Sequence, residues 1–286
     1  MTFAAAQLAP GATRSIFTEA RFALRKAGRL FGLYLQDAMA YRAVALIWIM
    51  TDTVPMLIQP LLWMAAFHGR ATVGGLAASQ ITAYYLVLLG VTNLVQCHQM
   101  WEIAADMKEG RFSAYLLRPF SYGVMNYLSF VSWRLMRTVM FLPIFGAALL
   151  LYGHTLRLAD CHPSPAFFVT LILGHLVSFS ITYAFALLAF YFVETRSLYN
   201  MWYMVLIIFS GQLAPLSLFP PLLRQIAIVL PFRYTIAIPT DVFLGRLTAH
   251  EIAQAIVLQI VWIVAGWAVA RVLWTNGIRR FTGVGL

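Results

Sequence analysis

Three of the chain's ten acidic residues, Glu102, Asp106 and Glu109, are spaced i, i+4 and i+7. On a helix this spacing gathers the carboxylates into one stripe. Gly110 is a natural terminator for that helix, and Pro119 prevents its continuation through Arg111, Leu117 and Arg118. A short helix and a turn exposed to the cytoplasm are implied, with a solvated loop face as the plain alternative. Asp52 poses a different question. It lies between Thr51 and Thr53 in a long apolar run, about nine residues from the start, which at ~1.5 Å per residue is close to mid-membrane. A carboxylate there is a functional candidate, or a neutral or paired group that holds a neighbouring helix.

Other chemistry fails on spacing. The only lysines, Lys26 and Lys108, are followed by Ala27 and Glu109, so there is no Gly-Lys-Ser/Thr phosphate loop and no P-loop ATPase in this chain. His250 and Glu251 begin a zinc-protease pattern, but Gln254 stands where the second histidine belongs. Asp160, Cys161 and His162 are adjacent and cannot easily face one ion, so no metal is expected. Ser210 before Gly211 lacks the glycine pattern of a nucleophile turn. An intramembrane enzyme would need a site assembled from distant residues.

The elements that position these residues are membrane helices. Of the residues, 62% are hydrophobic and 10% charged, against about 25% charged in ordinary soluble domains. The fold class is therefore all-α and polytopic, one membrane domain whose connections are too short for a separate soluble domain. The net charge of +10 fits loops at an anionic membrane surface better than a nucleic-acid partner. The first thirteen residues lack a basic leader, so no signal peptide is expected.

Residues 1–42 form a cytoplasmic region with an amphipathic helix from Ser15 to Arg42. Its apolar face carries Ile16, Ala20, Ala23, Leu24, Ala27, Leu30, Phe31 and Tyr34, opposite Arg14, Arg21, Arg25 and Arg29. It lies on the membrane surface, packs on another protein surface, or both. Six spans follow in residues 43–286: about Ala43–Phe67, Ile81–Gln96, Arg134–Tyr152, Pro165–Val193, Leu198–Gly211 and Ile252–Leu273. Residues 121–153 are too long for one perpendicular span, so an interfacial portion from Ser121 to Trp133 is expected, with Arg134 and Arg137 snorkelling to the inner surface. With both termini inside, fifteen of the twenty Lys and Arg are cytoplasmic, which satisfies the positive-inside rule. Cys97 and Cys161 then fall on opposite sides, too far apart for a disulfide.

Between spans five and six the apolar stretch from Ser210 to Gly245 holds Pro215, Pro220, Pro221, Pro231 and Pro239. Proline costs a helix interior about 3 kcal/mol, so no straight helix forms there. Short broken helices that turn back within the membrane are expected over 214–245, and such interruptions tend to lie beside a transport path.

The stretches EIAADMKEGRFSAYLLRPF (102–120), SGQLAPLSLFPPLLRQIAIVLPFRYTIAIP (210–239) and WTNGIRRFTGVGL (274–286) resemble the membrane permeases of ABC type-2 exporters. With the basic amphipathic start and six spans, the resemblance extends over essentially the full chain. It implies a permease in the cell membrane that dimerises with a second permease subunit, identical or different. A separate ATP-binding subunit, which holds ATP and Mg, drives it, and the chain itself has no cofactor or catalytic residue. The resemblance assigns ATPase coupling to Glu102, Asp106, Glu109, Gly110, Arg111, Leu117, Arg118 and Pro119. It assigns an outer gate to Gly211, Pro215, Pro220, Pro221, Pro231, Phe232 and Pro239. The chain departs from the larger members in lacking a sizeable extracellular domain. Tyr199, Trp202, Tyr203 and Phe209 offer aromatic surface beside span five, and no basic cluster is expected within the membrane, which favours a hydrophobic or amphiphilic substrate. An ion-coupled carrier or channel dependent on Asp52, or an intramembrane enzyme, would act without an ATPase.

Overall fold

The computed structural model describes residues 16–153, 161–192 and 194–281. Arg14, Ser15, Arg157, Asp160, Val193 and the final TGVGL lie outside the described residues. The described chain is a helical bundle apart from one two-stranded ribbon. Its helices are α1 (Ile16–Ala40), α2 (Arg42–Phe67), α3 (Ala78–Val95), α4 (Met100–Lys108), α5 (Arg111–Leu116), α6 (Tyr122–Tyr152), α7 (Pro165–Ala186), α8 (Arg196–Phe209), α9 (Pro221–Val229), α10 (Ala237–Phe243) and α11 (Ala249–Gly277). Among the described residues, five stretches are long and apolar enough to cross a membrane: 42–67, 78–108, 122–152, 165–190 and 249–277. The expected outer loop 68–80 contains the ribbon, β1 (Thr72–Val73) paired antiparallel with β2 (Leu76–Ala77).

α3 is the central helix and contacts α2, α6, α7 and α10. Its side chains Ile81, Tyr84, Tyr85, Leu88 and Val95 are fully buried under these neighbours, while Leu94 stays exposed. α7 and α11 pack closely along their lengths. At one crossing Gly266 lies against Ser180, so close that a Cβ on Gly266 would meet the Ser180 backbone carbon at 3.1 Å. Gln259 of α11, also buried, donates from Nε2 to the carbonyls of Thr170 and Tyr234, both at 2.9 Å. That side chain ties α11 to α7 and to the short 3-10 turn Pro231–Tyr234.

The two ends of the bundle differ. At one end α4, α5, the start of α6 and the 3-10 turn Leu187–Phe190 after α7 enclose an aromatic core around Phe112. Its ring meets Tyr122, Phe281 and Phe190 edge-on, with centroids 4.9, 5.0 and 5.4 Å away. At the other end, residues 210–245 form short pieces, and the prolines explain each break. Pro215 precedes the 3-10 turn Leu216–Leu218, Pro220 and Pro221 open α9, Pro231 opens the next 3-10 turn, and Pro239 sits in the first turn of α10. First-turn positions tolerate proline because their N–H groups have no intrahelical acceptor.

Residues 121–153 differ from expectation. The interfacial portion Ser121–Trp133 and the span beginning at Arg134 are one continuous helix of 31 residues, α6. No glycine or proline interrupts it between Gly123 and Pro143, and Ser121 caps it by accepting from the Val124 N–H. Its extra length is covered by α1, which packs along it. Ala38, Ala45 and Met136 form a buried cluster with Leu35 and Trp133, and Ser132 donates to the Phe31 carbonyl at 3.2 Å. α1 therefore packs on protein through its C-terminal half, while Leu24 on the same apolar face stays exposed.

Candidate functional site

The acidic stripe lies on α4, but its members do different things. α4 ends at Lys108, Glu109 follows it, and Gly110 turns the chain with φ of 77° into α5. Arg111 binds Asp106 through Nε at 2.8 Å and Glu109 through a terminal nitrogen. The Asp106 hydrogen bond holds the Arg111 guanidinium above its ordinary range, so it stays charged. Met100, Ile103 and Met107 anchor the opposite face of α4 in the core. After α5, Leu117 is 89% exposed, and Arg118 stacks over Tyr115 with its guanidinium carbon 4.7 Å from the ring centroid. Beside this tip a cleft of about 470 Å³ opens between α4 and the start of α8, lined in part by Lys108, Glu194 and Arg196. Glu102 instead lines a separate cleft beside Arg134 and Arg137.

The second site centres on Asp52. Its carboxylate accepts from Arg137 at 2.6 Å and lies 3.7 Å from His98 Nε2. The expected snorkelling of Arg134 and Arg137 is therefore wrong, and so is the expectation that the interior lacks a basic cluster. Both arginines turn inward because the carboxylate and freed carbonyls there offer better partners than the membrane surface. Between α3 and α4 the helix is interrupted at Gln96–Gln99, and Arg134 donates to the Asn93 and Gln96 carbonyls that the break exposes. α7 holds the same break: Ser178 Oγ accepts from the Cys97 N–H, and Gln99 Nε2 donates to the Phe179 carbonyl and Thr182 Oγ1. Irregular backbone inside an apolar bundle is tolerated when side chains satisfy it in this way. Tyr203 of α8 completes the surround, its ring 5.9 Å from His98. No disulfide joins Cys97 and Cys161.

The third group is the proline-broken segment. It is fastened to α3 by two tyrosines: Tyr84 donates to the Gly211 carbonyl at 2.9 Å and Tyr85 to the Leu213 carbonyl at 2.8 Å. Trp63 of α2 donates in turn to the Tyr85 hydroxyl. Phe232 is buried against Trp202, with centroids 4.7 Å apart. Arg246 ion-pairs with Asp241 and lies over the Tyr84 ring. The broken α3–α4 unit thus runs from the α4–α5 tip at one end of the bundle to the proline-broken segment at the other. Sequence reasoning missed Arg134, Arg137 and His98. The signal was two arginines one turn apart in an apolar helix while Asp52 lacked a partner.

Residues 53–285 match the family model described as ABC-2 family transporter protein. No curated protein matches the chain. The match takes in α3 to α11, with the tip, the interrupted second span and the proline-broken segment, and all but the first part of α2. The chain belongs to the ABC-2 family of transporter proteins, as a permease subunit of an ABC transporter.

Proposed function

We propose that this permease subunit is one half of the membrane part of an ATP-driven exporter of hydrophobic or amphiphilic molecules. The other half is a second permease subunit, identical or different. Family members work with an ATP-binding subunit, and here that subunit, carrying ATP and Mg, docks on the α4–α5 tip. One observation carries this assignment: Leu117, with the exposed Leu116 before it, is an almost fully exposed leucine at a tip that also carries Lys108, Glu109, Arg111 and Arg118. An apolar side chain rimmed by charge is what a docking surface presents. Glu109, Gly110 and Pro119 set the shape of the turn, and Asp106 holds Arg111 in place.

The protein sits in the cell membrane with both termini cytoplasmic. α8, only 14 residues long, is the fifth of six spans. At ~1.5 Å per residue it is short for a hydrocarbon core of ~30 Å, and the proline-broken segment 214–245 completes that crossing as a re-entrant outer gate. ATP-driven closure of the partner subunits displaces the tip, and α4 passes that displacement through the Gln96–Gln99 break to α3. α3 pulls on Gly211 and Leu213 through Tyr84 and Tyr85, which opens or squeezes the outer exit.

Capture from native membranes tests the docking surface. The tagged wild-type chain is expected to bring down a P-loop ATPase identified by mass spectrometry, and Leu117→Asp is expected to lose at least about nine tenths of it, as for a central interface anchor. Pro231→Ala is expected to keep that capture while changing export. Unchanged capture by Leu117→Asp would remove the tip from the docking surface.

A further inference from the structure

A cleft of about 430 Å³ opens at the end of the bundle that carries the α4–α5 tip, between α5, the start of α6, α7 and α11. That volume is within the range of small-molecule sites. Its walls are largely aromatic, with Trp267 and Trp274 of α11, Tyr183 of α7 and Tyr115 of α5. One charged side chain lines it, Arg271, which helical spacing puts on the same face of α11 as both tryptophans.

Arg271 differs from the arginines of the Asp52 site. It is exposed, and among the described residues its guanidinium has no hydrogen-bond or ion-pair partner. No carboxylate among the described residues lines the cleft, and Asp106 at the tip is already bound to Arg111. An accessible cation therefore faces an apolar slot that holds no counter-charge of the protein's own. Tyr183 adds a hydroxyl with no hydrogen bond among the described residues. Gly123 of α6 leaves room beside it, since a Cβ there would stand 3.4 Å from the Tyr183 oxygen.

The depth fits a lipid. α11, with 29 residues, is ~43 Å long, some ~13 Å more than the hydrocarbon core. Arg271 lies ~9 Å before the C-terminal end of α11, which brings it close to the boundary between headgroups and chains. Trp267 lies one turn deeper. Indole rings, with one apolar and one polar side, suit that boundary.

We propose that this cleft binds an anionic phospholipid. The phosphate accepts from Arg271, an ester carbonyl accepts from the Tyr183 hydroxyl, and an acyl chain lies along Trp267. A headgroup ammonium finds no carboxylate to accept from it, so a zwitterionic lipid binds less tightly. The bound lipid bridges α11 to Tyr115 of α5 and so braces the tip. The leaflet is the cytoplasmic one on the orientation proposed above, but the binding itself does not depend on the exporter reading, and its test does not involve the ATPase.

The full-length chain in non-ionic detergent is titrated with phosphatidylglycerol, phosphatidylethanolamine or free glycerol 3-phosphate, and the tightest bound ligand is followed by native mass spectrometry. Phosphatidylglycerol is expected to bind at least about fivefold more tightly than phosphatidylethanolamine, the scale of one arginine at a lipid surface. Arg271→Gln is expected to abolish that preference, Arg271→Lys to keep most of it, and Gly123→Leu, which fills the cleft from the first turn of α6, to lose tight binding of both lipids. Arg29→Gln, the same charge change on an exposed face of α1, is expected to leave the preference unchanged. Equal binding of the two lipids by the wild type, an unchanged preference in Arg271→Gln, or an equal loss in Arg29→Gln would overturn the proposal. Wild-type affinity in Gly123→Leu would remove the lipid from this cleft, and glycerol 3-phosphate binding as tightly as the lipid would overturn the assignment to a phospholipid.

Discussion

Replacing Asp52 by alanine is expected to destabilise the protein by about 3–5 kcal/mol, the cost of leaving one member of a buried ion pair uncompensated. Asp52 and Arg137 are mostly buried, with side chains 14% and 11% exposed, so solvent screening does little to reduce this. Arg137→Ala leaves Asp52 with His98, at 3.7 Å, in place of a guanidinium in direct contact, and is expected to cost a similar amount. Asp52→Ala combined with Arg137→Leu removes both charges, and its cost is expected to fall well below the sum of the single variants. Thermal unfolding of the detergent-solubilised protein, followed by fluorescence-detected size exclusion, measures all three. Strictly additive losses would show that the pair does not couple α2 to α6. Asp52→Asn keeps an acceptor for Arg137 and should fall between wild type and Asp52→Ala.

A second large effect is expected at Gly174. On α7 this glycine lies directly against the backbone carbonyl of Thr235, so a Cβ there would collide with main chain rather than with a side chain that can rotate away. Thr235 follows the turn Pro231–Tyr234, whose Tyr234 carbonyl is held by Gln259. Gly174→Val is therefore expected to cost about 3 kcal/mol, at the upper end for overpacking. The strain should be local, lifting residues 231–243 from α7 while α4 and α5 keep their place. Hydrogen exchange read peptide by peptide would show it as lost protection in 231–243. Uniform loss across the bundle would mean instead that α7 itself had moved.

Much of this arrangement was legible in the residues. Apolar run length placed α2 and α3 within a few residues, and the five prolines marked each break between Gly211 and Phe243. The ribbon at 72–77 was missed although Gly74–Gly75 is the two-residue signal for a tight hairpin. Both glycines adopt positive φ, 58° and 81°, as a type I′ turn requires. Length alone divided residues 121–153, because run length says nothing about a second helix lying alongside, and α1 supplies that cover. The inner polar site stayed hidden for a related reason. Asp52 lies on α2, Arg137 on α6 and His98 in the break between α3 and α4, and their partnership arises only when the bundle forms. Glu102 was grouped with Asp106 and Glu109 by helical spacing, which fixes a common face of α4 but not what each turn of that face meets.

The pair between Asp52 and Arg137, 85 residues apart in the chain, also bears on how the protein is made. α2 is synthesised and inserted before α6 has been translated. An arginine at the centre of a lone inserting helix costs about 2.5–3.5 kcal/mol, and α6 carries two of them one turn apart. The two arginines offset part of what this strongly apolar helix gains by entering the bilayer alone. Its entry is favoured once α2, already in the bilayer, presents Asp52 and the end of α3 presents the Asn93 and Gln96 carbonyls to Arg134. The order of translation thus lays down the acceptors first, and each later arginine enters the lipid to a partner already in place.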